Sequence, residues 1–149
     1  MKKFLKVIAL ILAFCCVATI FASCGKSTVI TRLERYNINT KLLENYEIVC
    51  DIKGETFTGR APSYAVITFQ DEPVEFMNSF SKENINIFSS EKNDDLKNLI
   101  DRYSSLEIPN DFYPNWEDDY KWLRLDALDR LYLIYFPNEF KLVIFETGH

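Results

Sequence analysis

Few residues in this 149-residue chain have the type and spacing to do chemistry. The one histidine is His149, at the end of the sequence. A Ser or Cys nucleophile in need of an imidazole base would have to find it there, where fraying is the default. No HExxH, CxxC or G-x-S-x-G occurs, and the four glycines form no phosphate-cradling loop. These patterns argue against zinc and nucleotide chemistry, and no catalytic residue, metal ligand or cofactor is expected. Carboxylates are densest in Asn110-Asp-Phe-Tyr-Pro-Asn-Trp-Glu-Asp-Asp119. Crowded loop oxygens suit Ca²⁺, but the spacing is not the D-x-D-x-D-G pattern with its distal Glu. The alternative to a calcium loop is a solvated acidic turn. Tyr113, Trp116, Glu117, Asp118, Asp119 and Tyr120 are the candidate binding surface, a platform for sugar rings or a partner protein. Ordinary core packing of the same aromatics is the competing reading, since aromatic side chains dominate core energetics as well.

The other reactive side chains are the cysteines at 15, 16, 24 and 50. Three of them lie in MKKFLKVIALILAFCCVATIFASC. Lys2, Lys3 and Lys6 give a positive start, an apolar run follows from Val7, and Ala22-Ser23 end it with two small residues. A charged start, an apolar middle and a small-residue cleavage site make a secretory signal, removed on export. Sixteen residues from Val7 to Ala22 are short for a spanning helix, which needs about 20. The alternatives are an ordinary secretory signal or an uncleaved N-terminal membrane helix.

Phe21-Ala22-Ser23-Cys24 resembles the lipobox of bacterial lipoprotein precursors, with Phe21 where the family usually carries Leu. The resemblance covers residues 1–24. It implies that residues 1–23 are a lipoprotein signal peptide and that Cys24 receives a diacylglyceryl group and becomes the first residue of the mature protein. It also implies a fatty-acylated (palmitate-type) membrane anchor on the extracytoplasmic face. A thiolate is nucleophilic enough to take the lipid as a thioether. Two acyl chains, at about 0.8 kcal/mol per buried methylene, hold a domain stably where one is marginal.

Removal of residues 1–23 takes away three lysines and no acid, leaving 126 residues with 14 Lys and Arg against 22 Asp and Glu, a net charge of −8. Nucleic acid and anionic lipid surfaces need clustered cations, so no nucleic-acid partner is expected and the lipid is left as the means of attachment. The length suits one domain with a real core. With Cys24 lipidated, Cys50 has no partner for an intramolecular disulfide. Its period-2 spacing from Tyr46, Ile48 and Ile52 predicts a buried hydrophobe on their face, rather than a reactive thiol.

The elements are read from residue 24 onward. Residues 24–31 form a lipidated Cys and short tether and 32–149 one globular domain. Thr28 caps a helix bearing Val29, Leu33 and Tyr36, with Arg32 and Arg35 on a solvated face. Tyr46–Lys53 and Ser63–Phe69 alternate and make a hairpin. Asp71-Glu72-Pro73 starts a helix with Val74, Met77 and Phe80, and Phe76 beside them, on its apolar side; Ser90 opens another with Leu96, Leu99, Ile100 and Tyr103 on one stripe. Residues 85–88 read as an edge strand, 106–115 as a loop and 120–125 as a strand. The runs 131–136 and 141–145 form a closing hairpin with Pro137 and Asn138 central in a type I turn. The strand from 131, apolar on both faces, is expected centrally with helices on one side. The order predicts an α+β fold: a mostly antiparallel sheet of about five strands with two to three helices.

Three functions fit. The leading one is a non-enzymatic, membrane-anchored extracytoplasmic module that binds an envelope protein or cell-wall glycan. An inhibitor or immunity-type protein acting through its acidic face on a basic enzyme or toxin is the alternative, followed by a carboxylate-based hydrolase.

Overall fold

A computed structural model describes residues 27–55, 60–82, 87–127 and 129–148. The signal segment and Cys24 lie outside the described residues, as do His149 and positions 85 and 86 of the expected edge strand.

The domain is α+β. Five antiparallel strands, β1 (Tyr46–Lys53), β2 (Ser63–Phe69), β3 (Lys121–Asp126), β4 (Arg130–Phe136) and β5 (Lys141–Thr147), form one sheet in the order β1-β2-β5-β4-β3. The two hairpins that the alternating runs predict are both present, and pairing of β2 with β5 joins them. That long-range pairing makes β5 the middle strand, with β4 beside it. In the β4–β5 turn Pro137–Glu139 form a 3-10 turn and Phe140 takes a left-handed conformation (φ 47°), a four-residue connection into the next strand.

Both faces of the sheet are covered, not one. Helix α1 (Thr28–Arg35) and helix α2 (Val74–Lys82) pack on the first face, over Ala65, Ile67, Leu131, Leu133, Leu142 and Ile144. Helix α3 (Asp94–Arg102) and the segment 103–120 pack on the second, over Tyr64, Val66, Ile134, Val143 and Phe145. Such two-sided burial explains why β4 and β5 read as continuous apolar runs.

The helix starts differ from the sequence reading, and in each case the capping side chain decides. Ser27 Oγ accepts from Val29 N at 3.2 Å, so α1 begins at Thr28 and its first core residue, Val29, is fully buried. Residues 28–31, expected in the tether, therefore lie within a folded helix. Asn93, not Ser90, caps α3, because Ser89 is held extended by paired backbone hydrogen bonds with Trp122 of 2.8 and 2.9 Å. Ile87 and Phe88, the described residues of the expected edge strand, are not in a strand, and this single bridge follows them at Ser89. Asp94 and Asp95 then sit in the first turn, complementing the helix dipole. In α2 it is Phe76 that is fully buried, while Val74 is half exposed. Among the described residues no helix is long and apolar enough to cross a membrane.

Candidate functional site

An extra residue in β1 changes which groups meet. Register slips between Ile48 and Cys50, so Ile48 pairs with Ile67 and Cys50 with Val66. This bulge places Cys50 and Ile52 on the second face and leaves Ile48 on the first, which corrects the uniform period-2 reading of the strand. Cys50 is nevertheless buried, and burial, followed by the neighbouring Asp51 carboxylate, pushes its thiol up from the ordinary range. Asp51, opposite Ala65, now faces α1.

On α1 the polar residues Thr28, Arg32 and Arg35 recur at i, i+4 and i+7, next to the apolar stripe of Val29, Leu33 and Tyr36. Arg32 is 6% exposed, so the solvated face expected of it does not exist. Its Nη2 donates to Asp51 Oδ1 at 2.8 Å, and its Nε stands 3.8 Å from Glu146 Oε2. Thr28 Oγ1 donates to the other Asp51 oxygen. Glu146, on β5 and 5% exposed, accepts from Arg35 Nη2 at 3.0 and 3.1 Å, from Tyr36 OH at 2.9 Å and from Ser63 Oγ at 3.2 Å. These contacts occupy the roughly four acceptor positions of a carboxylate. Burial, followed by the hydrogen bond to Glu146, raises the Tyr36 phenol above its ordinary range and keeps it a donor.

The result is a cleft of about 790 Å³ at the sheet end where β1 and β5 finish and β2 begins. Thr28, Arg32, Arg35, Asp51, Ser63 and Glu146 line it together with the segment 53–55 and residues 60 and 61, of which Lys53, Glu55 and Arg60 are exposed. Arg60 reaches back to the buried Asp129 at 2.9 Å. Gly148 fixes this wall by close approach, since a Cβ there would stand 2.0 Å from Arg60 O. Arg32 Nη1 is buried and finds no hydrogen-bond partner among the described residues. An orphaned donor of this kind costs about 1–3 kcal/mol. Chemically the cleft can hold charge in place, but its one buried carboxylate has no acceptor position left for a substrate proton.

The surface anticipated from sequence is built otherwise. Tyr120 is 6% exposed, its hydroxyl accepts from Asn93 N at 2.8 Å, and its ring meets Trp116 edge-on and Phe136 at a tilt. Trp116 and Tyr113 are half-buried against the same core, and Tyr113 OH donates to Asp101 of α3. The aromatics thus form the roof of the second face rather than an open platform. Glu117 and Asp119 remain exposed, and Asp118 Oδ2 accepts from Asn115 Nδ2 at 3.0 Å within a tight turn. Among the described residues no three His, Cys, Asp or Glu side chains cluster as a metal site.

The cleft was not legible as a site in the sequence because its residues come from four separated segments. One signal was legible: Glu146 falls on the same alternate face of β5 as Leu142 and Ile144, a carboxylate at a core-facing position. Comparisons of the chain with protein-family models, curated proteins and solved structures find no match.

Proposed function

We propose that this protein is a lipid-anchored bacterial envelope protein whose extracytoplasmic domain binds a ligand or partner and catalyses no reaction. The observation that carries the anchor is Phe21-Ala22-Ser23-Cys24 at the end of an apolar, lysine-led segment, three residues before the Ser27 cap of the folded domain. Thr28, four residues beyond Cys24, lines the cleft. At about 3.5 Å per extended residue, no more than about 14 Å of chain would separate cleft wall from lipidated cysteine. Binding rather than turnover is supported by the cleft itself, whose buried carboxylate, Glu146, has its acceptor positions filled by Arg35, Tyr36 and Ser63.

The anchor is tested by producing the full chain in a bacterial host fed an alkyne-bearing palmitate analogue. The expected result is a labelled, membrane-associated protein about 23 residues shorter than the precursor, with label and processing both lost in Cys24→Ser. An unlabelled wild-type protein overturns the anchor.

A further inference from the structure

We infer that the α1–β1–β5 cleft is a binding site for an oxyanion, a phosphate or carboxylate group carried by a small molecule or a lipid headgroup. This deepens the binding reading above and does not depend on the anchor.

Four cations, Arg32, Arg35, Lys53 and Arg60, stand among the eleven lining residues beside three carboxylates, Asp51, Glu55 and Glu146, in a protein whose overall charge is negative. Two of the three carboxylates are already paired, and the third, Glu55, is exposed. Asp51 is held by Arg32, and Glu146 by Arg35 with a longer approach from Arg32. Two donors are left over. Lys53, exposed at the mouth, has no ion-pair partner among the described residues. Arg32, more than nine-tenths buried in the cleft wall, has its Nη1 without a partner. The Arg32 guanidinium is hydrogen-bonded through Nη2 alone, with Nε 3.8 Å from Glu146 and Nη1 unmatched, so it has N–H donors to spare, and their planar array matches phosphate and carboxylate geometry. Arg60, though bound to Asp129, keeps about half of its side chain exposed beside the opening. Ser63 and Tyr36 donate to Glu146 beside Arg35, so its charge is matched within the wall. The ligand's oxyanion would then reach the Arg32 guanidinium while Lys53 approaches it from the rim.

The full chain in phosphate-free maltoside micelles is titrated with inorganic phosphate, acetate and glycerophosphoglycerol, the deacylated headgroup of an anionic phospholipid. Arginine Nε–Hε and backbone amide NMR signals are followed. Saturable shifts at Arg32, Lys53 and Ser63 are expected with at least one probe. Lys53→Glu, an exposed change that leaves the fold intact, weakens that binding at least about tenfold, the scale of one lost charge-assisted hydrogen bond. Arg32→Lys weakens it further or abolishes it. Lys121→Glu, a control on β3, leaves it unchanged. Tighter binding of glycerophosphoglycerol supports the site with a lipid source, and tighter phosphate or acetate binding supports it with a soluble one. No saturable shift with any probe, or equal loss in Lys53→Glu and Lys121→Glu, overturns the inference. Loss of palmitate labelling with phosphate binding intact would remove the anchor and leave the site.

Discussion

The aromatic–acidic segment 110–120 and the charged cleft differ in how each is assembled. The first is contiguous in sequence, and its residues share one backbone path over the second face of the sheet. Its rings turn inward because burial of a large aromatic body outweighs anything it gains in water, and only the carboxylates stay outside. The second draws Thr28, Asp51, Arg60 and Glu146 from four segments up to 118 residues apart. There Arg32 and Glu146 cannot turn outward, since α1 and the strands bury them, so they pair with the partly exposed Asp51 and Arg35. A dense local run of functional-looking residues thus became roof, while scattered single charges became a site.

Substitutions can break that contrast. Glu146→Leu strips the shared partner from Arg32, Arg35, Tyr36 and Ser63. Removal of one member of a buried ionic network costs about 3–5 kcal/mol, which urea unfolding would read as a large drop in midpoint. A loss below about 1 kcal/mol, the range of surface pairs, would mean that the network is solvated. Tyr120→Ala removes a buried ring and should cost about 3 kcal/mol on the scale of large aromatic deletions. A near-neutral result would restore the open platform that the sequence suggested.

Gly148→Ala forces a Cβ against the backbone of residues 60–62. It should destabilise by about 1–3 kcal/mol, the range for overpacking, and shift amide signals around Arg60 but not around Trp116. Unchanged cleft signals would show that the wall is loose.

Titration separates buried from exposed groups. Burial raises Tyr64, and Tyr135 is pushed up to about 12, while Tyr36 and Cys50 are raised as well. A raised pKa in an acid that is neutral when protonated favours folding at pH below the unfolded value, and that contribution is lost as pH rises toward the folded one. Stability should be level on this account near neutrality and fall above about pH 9–10, where the unfolded thiol and phenols begin to ionise. Urea midpoints at pH 8 and pH 11 check it; equal midpoints would contradict the burial of these groups. Cys50 should react with a thiol reagent at pH 8 far more slowly in the folded protein than in urea.

The smallest effect is expected for Glu117→Ala combined with Asp119→Ala. Exposed residues outside special features usually stay within about 0.5 kcal/mol. A partner whose binding collapses in this variant would return the acidic turn to consideration as the interaction surface.

The sequence by itself determined what depends on neighbours a few residues away. Period-2 alternation marked β1 and β2, two apolar runs about a Pro-Asn turn marked the β4–β5 hairpin, and Leu96 and Ile100 marked the buried stripe of α3. Apolar runs on both faces marked the interior strands. The tertiary structure alone decided the rest. That β5 is the middle strand follows from its pairing with β2, a contact across 73 to 83 residues that no local pattern encodes. The bulge before Cys50 reverses the faces of the second half of β1, and a one-residue slip of that kind is invisible to a period-2 count. Arg32 and Arg35 read as a wet helix face because charge favours water unless a partner waits in the fold. Asp51 and Glu146, brought by two strands, are those partners, and their long-range meeting made the cleft.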